Sequence, residues 1–198
     1  MHPHTIIFIG PQGSGKGTQI ELLREALKQK DPTRVIVDIQ TGRRFRALAA
    51  RGEGFTESHL SDTLDTGVLQ PLFLSVVLWG DAMREKLDDV SHLLIDGFPR
   101  TVPEAVVLES AFKFYERSSV TVINLETPED IVRSRMEGRA RKDDTPASIG
   151  ERLRWYREET VPVIEYYRSR EHTSVIDIDG TQGIEEVHAA IGNALGLV

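Results

Sequence analysis

Short apolar runs alternate with longer stretches of helical periodicity along this chain. Five runs rich in β-branched residues are too short for helices and are typical of buried strands. Between them, apolar positions recur with the three- and four-residue spacing of amphipathic helices. The runs lie at residues 5–9, 34–39, 92–96, 120–125 and 174–178, and the helical stretches at 16–29, 43–51, 57–66, 71–88, 102–116, 128–137, 146–170 and 183–195.

Strands that alternate with helices indicate one fold class. They predict an α/β protein with a five-stranded parallel sheet that is covered by helices on both faces. Sheets of this kind bind ligands beyond the carboxyl ends of their strands. Candidate functional residues are therefore expected directly after the strands.

The stretch after the first predicted strand has the composition of a phosphate loop. "GPQGSGKGT" fits the spacing G-x-x-x-x-G-K, with Gly10, Gly15 and Lys16. Glycines let successive backbone N–H groups point at phosphate oxygens, and the following helix adds its positive end. The general pattern places Ser or Thr after the lysine to hold Mg²⁺, whereas this chain has Gly17 and then Thr18. The alternative, a glycine-rich turn that binds nothing, does not explain the strand before it and the helix after it.

A second candidate segment follows the third predicted strand, where the chain reads "LLIDGFPRT". Asp96 ends the strand, a position from which a carboxylate orients Mg²⁺ and its waters beside a phosphate loop. Arg100 follows in a rigid turn and offers a bidentate clamp for phosphate. The alternative interpretation is an Asp-Gly turn followed by a solvated arginine.

Residues 133–157 form a basic segment in an acidic chain. They contain eight basic and four acidic residues, whereas the whole chain has a net charge of −7. A solvated charged face is the usual meaning of such a run. Arginine, however, outnumbers lysine seven to one here, and arginine is preferred where phosphate is recognised by a planar, bidentate group. Arg135 and Arg139 are four apart and share one helix face.

Composition and net charge limit which classes of protein and which cellular locations are compatible with this chain. An apolar fraction of 39% and a charged fraction of 28% are ordinary for a soluble globular protein, and no apolar run approaches the roughly 18 residues of a membrane span. The net charge argues against nucleic acid as a partner. There are no cysteines, which excludes disulfides and thiolate metal sites and favours the cytoplasm.

Several of these motifs together resemble one family. "GPQGSGKGTQ", "TGRRFR", "DGFPRT", "RKDD", "PVIEYY" and "DIDGT" are similar, in this order, to segments of adenylate kinases, in the nucleoside monophosphate (NMP) kinase family. The resemblance implies a P-loop NTPase-type three-layer α/β/α fold, with residues 1–198 forming one domain. A helical NMP-binding insert is expected at about 41–70, and a minimal lid at about 135–145.

The resemblance also implies a reaction and its ligands. The expected activity is reversible, Mg²⁺-dependent phosphoryl transfer from ATP to AMP, giving two ADP. Mg²⁺ is the implied cofactor, with no zinc, and ATP and AMP are the implied partners of a monomer that binds neither nucleic acid nor membrane.

Matching positions imply the site residues. Asp96 is expected to hold Mg²⁺ through water. The ATP-binding set is Gly13, Ser14, Gly15, Lys16, Gly17, Thr18, Arg135, Arg139 and Gln182. The AMP-binding set is Thr41, Gly42, Arg46, Leu69, Gln70, Gly97, Arg100, Glu104, Arg141 and Arg152. The catalytic set is Lys16, Arg100, Arg139, Arg141, Arg152, Asp143 and Asp144.

One of these positions departs from the family pattern. Glu104 stands where the family usually has a glutamine that reads adenine. An ionised carboxylate only accepts hydrogen bonds, which suits the N–H groups of guanine better than N1 of adenine. A nucleoside monophosphate kinase of altered or broad acceptor specificity, taking GMP or others, is therefore an open alternative. The competing interpretation is that Glu104 closes a helix-capping box with Thr101.

Two further departures concern charge and the lid. Arg43 stands where the family usually has an acid, and Ala140 alone separates Arg139 from Arg141, where relatives carry a longer lid. So short a lid predicts more ATP hydrolysis without acceptor than a longer lid permits. The remaining alternative classes are a kinase for an unrelated small acceptor and a catalytically silent nucleotide-binding module.

Overall fold

The computed structural model describes residues 2–52, 54–139, 141 and 143–197, and its centre is one parallel sheet. The five strands are β1 (Thr5–Ile9), β2 (Ile36–Gln40), β3 (His92–Asp96), β4 (Val120–Glu126) and β5 (Thr173–Asp179). Their order is β2-β3-β1-β4-β5, and all neighbouring pairs are parallel. The predicted sheet is therefore confirmed.

Helices connect these strands. They are α1 (Lys16–Lys30), α2 (Thr41–Ala49), α3 (Phe55–Thr66), α4 (Leu72–Lys86), α5 (Val102–Phe114), α6 (Glu129–Gly138), α7 (Pro146–Trp155), α8 (Val161–Arg168) and α9 (Ile184–Ala194). A π-helical turn, Tyr156–Thr160, joins α7 to α8. Ala140 and Lys142, which belong to the expected lid, and Glu53, which belongs to the expected insert, lie outside the described residues.

Each face of the sheet carries its own apolar core. On one face, Ile20 and Leu23 of α1 and Ile191 of α9 pack against alternate strand residues such as Ile6 and Phe8. The opposite face is covered by α4, α5 and α8, whose buried side chains include Trp79, Leu108 and Tyr167. These two layers with the sheet between them form the expected three-layer α/β/α fold.

Strand order explains where the site lies. After β1 the chain runs to the edge strand β2, returns through β3, and then crosses to β4 on the other side of β1. The connections that leave the carboxyl ends of β1 and β3 therefore diverge, and a crevice opens between them. This is where the phosphate loop and the segment 96–100 meet.

The predicted helix at 146–170 is interrupted, and this corrects the expectation of one continuous helix. The N–H of Val161 donates to the carbonyl of Tyr156, five residues back, within the π-helical turn. Pro162 has no N–H to bond the carbonyl of Glu158, so the regular ladder cannot continue through this point. The wider turn shifts the following residues relative to a straight helix. Such turns often occur at functional sites.

Helices α6 and α7 flank the expected lid and share a small core of their own. Val132 and Met136 of α6 pack against Ile149 and Leu153 of α7. This cluster is separate from the two cores that cover the sheet. It holds the two ends of the lid segment together at the mouth of the crevice.

Candidate active site

The phosphate loop closes β1 and opens α1. Gly15 is the N-cap of α1 and has a φ of 101°, a conformation that side chains with a Cβ rarely adopt. Gly13 has a φ of 93°, and a Cβ there would lie 2.7 Å from the Val132 carbonyl oxygen. Glycine at these positions therefore permits both the tight loop and the close approach of α6.

Lys16 reaches back across its own loop. Its Nζ donates to the carbonyl oxygens of Gly10 at 2.7 Å and Pro11 at 2.8 Å. Burial lowers the pKa of Lys16 to about 8; the charge of Asp96 opposes this shift, and nearby arginines add to it. An anion in the loop would restore the favourable environment for the ammonium, so the arrangement favours bound phosphate.

Asp96 and Arg100 lie on the turn that follows β3. The turn includes Gly97, whose φ is 84° and whose carbonyl accepts from the Nε of Arg100 at 2.7 Å. Thr41 is fully buried, and its hydroxyl donates to the same carbonyl at 2.8 Å. The carboxyl-bearing Asp96 lines the cleft together with the phosphate loop.

Two aspartates organise the arginines next to the lid. The side chain of Asp144 is 1% exposed and accepts from Arg139 at 2.5 and 2.9 Å and from Arg152 at 2.6 Å. Asp143 accepts from Arg152 at 2.6 Å. Burial alone would raise the pKa of Asp144, but the bonds from both arginines outweigh it and hold that pKa below its usual range. Asp144 therefore stays ionised and fixes two guanidinium groups in one place.

A single large cleft joins these groups. It has a volume of about 800 Å³, within the range of small-molecule sites. Fifteen of the predicted site residues line it: Gly13, Ser14, Gly15, Lys16, Gly17, Thr18, Gly42, Arg46, Asp96, Gly97, Arg100, Arg135, Arg139, Arg141 and Gln182. The protein therefore brings segments from four strand ends and from the expected lid to one space.

A smaller pocket opens beside the cleft. Its volume is about 130 Å³, and predicted site residues Leu69, Gln70, Arg100 and Glu104 line it together with Phe45, Leu72, Ser75 and Thr101. Arg100 is common to both spaces. Thr41, Arg152, Asp143 and Asp144 line neither space. Thr41 bonds the lining residue Gly97 and Asp144 bonds the lining residue Arg139, while Arg152 bonds Asp143 and Asp144 behind them.

Glu104 already accepts three hydrogen bonds from within the protein through its carboxylate. It is 3% exposed, and its Oε1 accepts from the Ser75 hydroxyl at 2.6 Å and the Trp79 indole at 3.2 Å. Its Oε2 accepts from the backbone N–H of Arg100 at 2.7 Å. Thr101 is the N-cap of α5, and its hydroxyl accepts from the N–H of Glu104, which is the first of the two hydrogen bonds of a capping box. The second bond is not made to Thr101, because the Glu104 carboxylate accepts from the N–H of Arg100 instead. The bonds favour a supporting role over base reading.

The cleft also contains residues that sequence reasoning missed. Trp155, Tyr156 and Thr160 line it, and Thr160 donates to the Arg100 carbonyl at 2.9 Å. Trp155 could have been predicted from the sequence, because it follows Arg152 by three positions and shares its helix face. The π-helical turn that carries the other two had no such signal.

Comparisons with known proteins decide the family. The family model described as "Adenylate kinase" matches residues 8–172. The chain belongs to the adenylate kinase family. It is 36% identical to an adenylate kinase of Corynebacterium urealyticum over 185 residues, 93% of this chain and 95% of that protein. Relatives of equal identity come from Mycolicibacterium vanbaalenii (96% of this chain, 98% of that protein) and Nostoc (the same shares), the latter named adenylate kinase 1.

Membership of the adenylate kinase family confirms the resemblance and the fold class. It supports the function of an ATP:AMP phosphotransferase. It favours neither a kinase of altered or broad acceptor specificity nor a silent nucleotide-binding module. No described helix is both long and apolar enough to cross a membrane. Over the same described ranges, His, Asp and Glu side chains form no cluster of three that would hold a metal ion by themselves.

Proposed function

We propose that the cleft transfers the γ-phosphoryl group of ATP to AMP, giving two ADP. One observation carries this proposal: Arg100 lines both the phosphate-loop cleft and the smaller pocket beside it. A phosphate bound at Arg100 therefore lies between a site for a nucleoside triphosphate and a site that fits part of a second nucleotide. Two nucleotides that meet at their phosphates are what this reaction requires.

The donor nucleotide is held by the phosphate loop. Its β- and γ-phosphates replace the loop carbonyls as partners of Lys16, and the loop amides of residues 13–18 surround them. Arg135 donates to the Gly180 carbonyl at 2.9 Å, which places its guanidinium beside Gln182 at the outer end of the cleft. We assign this end to the adenine of ATP, which stacks on Arg135.

The donor set also fits Mg²⁺. This ion prefers oxygen ligands and usually keeps several waters, so one free carboxylate and two phosphates are sufficient protein and substrate contacts. Asp96 offers such a carboxylate beside the phosphate loop. When bound, Mg²⁺ neutralises charge on the β- and γ-phosphates.

Transfer is assigned to the arginines. An oxygen of the AMP phosphate attacks the γ-phosphorus, and the bond from that phosphorus to the bridging oxygen of ADP breaks. The negative charge that spreads over the moving group is stabilised by Arg139 and Arg141, which line the cleft. Arg152 is buried behind them and bonds the Asp144 carboxylate that also holds Arg139. Because the attacking atom is already a phosphate oxygen, no general base is needed.

The acceptor is held at Arg100 and in the smaller pocket. Arg100 and Arg46 bind its phosphate, and Leu69 and Gln70 line the space for its base. Membership of the adenylate kinase family supports ATP and AMP as the partners, and we assign the activity to a monomer. A cytoplasmic location agrees with the absence of cysteine.

A coupled assay tests the proposal. The protein is given Mg-ATP with AMP, GMP, CMP, UMP or no acceptor in separate reactions, and ADP formation is followed. Two ADP per ATP consumed, with AMP preferred, is the expected result. Arg84→Ala, an exposed arginine on α4, serves as the matched control and should be unchanged. Turnover only without acceptor, or no AMP-dependent ADP, would overturn the proposal.

A further inference from the structure

Trp155, the last residue of α7, contacts two separate parts of the acceptor site. The Cζ of Arg100 lies 5.0 Å from the centroid of its ring, over the ring face. Its Nε1 donates to the Gly67 carbonyl oxygen at 3.0 Å. The side chain is nearly buried, at 5% exposure, and still lines the cleft.

The first contact restrains the phosphate clamp. The Nε of Arg100 is used by the Gly97 carbonyl, while its two terminal nitrogens bond no acceptor anywhere in the described chain. These two nitrogens are therefore the ones left for phosphate. A guanidinium that lies over an indole keeps its plane, because tilting would lose both the cation–π attraction and the contact area.

The second contact restrains the wall of the base pocket. Gly67 ends α3 with a φ of 77°, and a Cβ there would lie 2.6 Å from the Ser148 carbonyl oxygen, so α7 packs directly on this backbone. The next residues lead to Leu69 and Gln70, which line the smaller pocket. The indole N–H therefore holds the start of the segment that forms this pocket.

We propose that Trp155 is a positioning residue for the acceptor nucleotide, linking the clamp on its phosphate to the pocket for its base. The proposal rests on the function assigned above. Trp155 acts through Arg100 and Gly67 and does not touch the reacting atoms. Tryptophan suits this place because a single side chain supplies both a broad ring face and an N–H donor.

Two variants separate the contacts. Trp155→Phe keeps a ring over Arg100 and removes the hydrogen bond, so the AMP KM should rise about two- to tenfold with little change in kcat. Trp155→Leu also removes the ring face, so kcat/KM for AMP should fall by roughly a further two- to thirtyfold. The ATP KM should stay within about twofold in both, because neither contact touches the phosphate loop.

A control on the same helix distinguishes positioning from general support. Leu153→Ala removes core packing from α7 without touching Arg100 or Gly67. It should lower the melting temperature while affecting ATP and AMP alike. An equal effect of Trp155→Leu on both substrates would overturn the proposal.

Coupling to Arg100 is tested by AMP binding, measured calorimetrically. In an Arg100→Lys background, Trp155→Leu should cost much less AMP affinity than in the wild type, because lysine has no plane to orient. An undiminished cost would overturn the proposal. This readout needs no turnover. A wild-type protein that binds AMP but forms no ADP would refute the proposed function alone.

Discussion

The two sides of the cleft that we propose for the donor and for the acceptor nucleotide are built in opposite ways. On the donor side, nine consecutive residues, 10–18, form the phosphate loop, and Lys16 bonds carbonyls only five and six positions away. On the acceptor side, four distant segments meet, and their contacts join Thr41 to Gly97, Trp155 to Gly67 and Thr160 to Arg100. The acceptor site therefore depends on the packing of several helices.

This difference predicts how a substitution on each side of the cleft affects the rest of the site. A change in the phosphate loop should remove one group and leave the rest of the site in place, since the loop is held by its own backbone. A change on the acceptor side should spread, because each of its residues also supports another segment. Four experiments test this difference between the two sides, and the first is the one with the largest expected loss of activity.

The largest effect is expected at Lys16. Lys16→Met keeps the length of the side chain and removes its charge, so phosphoryl transfer should fall by about 10³-fold. Thermal unfolding should change little, because the ammonium bonds atoms of its own loop, the carbonyls of Gly10 and Pro11 and the hydroxyl of Ser14. Lys28→Met, on the exposed side of α1, is the matched control for kinetics and melting temperature. A large loss of stability in Lys16→Met would mean that the donor side is not self-contained.

A comparable but smaller loss is expected at Arg152. Arg152→Ala removes three hydrogen bonds, one to Asp144 and two to Asp143, so kcat should fall by about 10²-fold and the melting temperature should drop as well. Arg154, two residues on, is half exposed and pairs with Glu151. Steady-state kinetics on Arg154→Ala should match the wild type within about twofold. Equal losses in the two variants would contradict the assigned roles.

The third experiment uses pH on the donor side. With a pKa of about 8, Lys16 of the free protein is protonated below that pH and neutral above it. Bound phosphate requires the charged form, so the ATP dissociation constant should rise about tenfold between pH 7 and pH 9. Arginine keeps its charge over this range, so calorimetry on Lys16→Arg should give a much flatter curve. A flat wild-type curve would show that Lys16 stays charged in the empty loop.

The smallest change in substrate preference is expected at Glu104. Glu104→Gln replaces one of the two accepting oxygens by an NH₂ group, which donates hydrogen bonds. This NH₂ must face either the donors of Ser75 and Trp79 or the N–H of Arg100, so at least one buried hydrogen bond is lost. The free energy of unfolding should fall by about 1–3 kcal/mol in urea titrations. The ratio of AMP to GMP turnover should stay within about threefold of the wild-type ratio, which corresponds to a difference in transition-state free energy of less than about 1 kcal/mol.

Glu85→Gln, at the surface of α4, is the control for that experiment and should be neutral in both measurements. A strong switch between AMP and GMP in Glu104→Gln would show that the carboxylate reads the base after all.

The secondary structure was largely predictable because its signals are local. Each predicted strand overlaps an observed one, since a short β-branched run between turns has few alternatives. The helix at 146–170 was the exception, because Pro162 widens it locally without ending it. Periodicity alone does not distinguish a π-helical turn from a continuous helix, as the apolar positions on either side still fall near one face.

Glu104 shows what the sequence left open. Its residue type allowed either base reading or capping, and the choice depended on the donors around it. Ser75 and Trp79 belong to α4 and lie 29 and 25 positions from Glu104 in the sequence. The residues next to Glu104 therefore do not predict these two donors.

The sheet and the phosphate loop could be predicted without a structure, because hydrophobic periodicity and glycine-rich turns are properties of a few neighbouring residues. The partners of the arginines could not, since they come from distant parts of the folded chain. Asp144 joins Arg139 to Arg152, and Trp155 lies under Arg100. The physical reason is that hydrogen bonds and cation–π contacts act over a few ångströms, and the packing of α6, α7 and the π-helical turn, not sequence distance, brings these groups within that range.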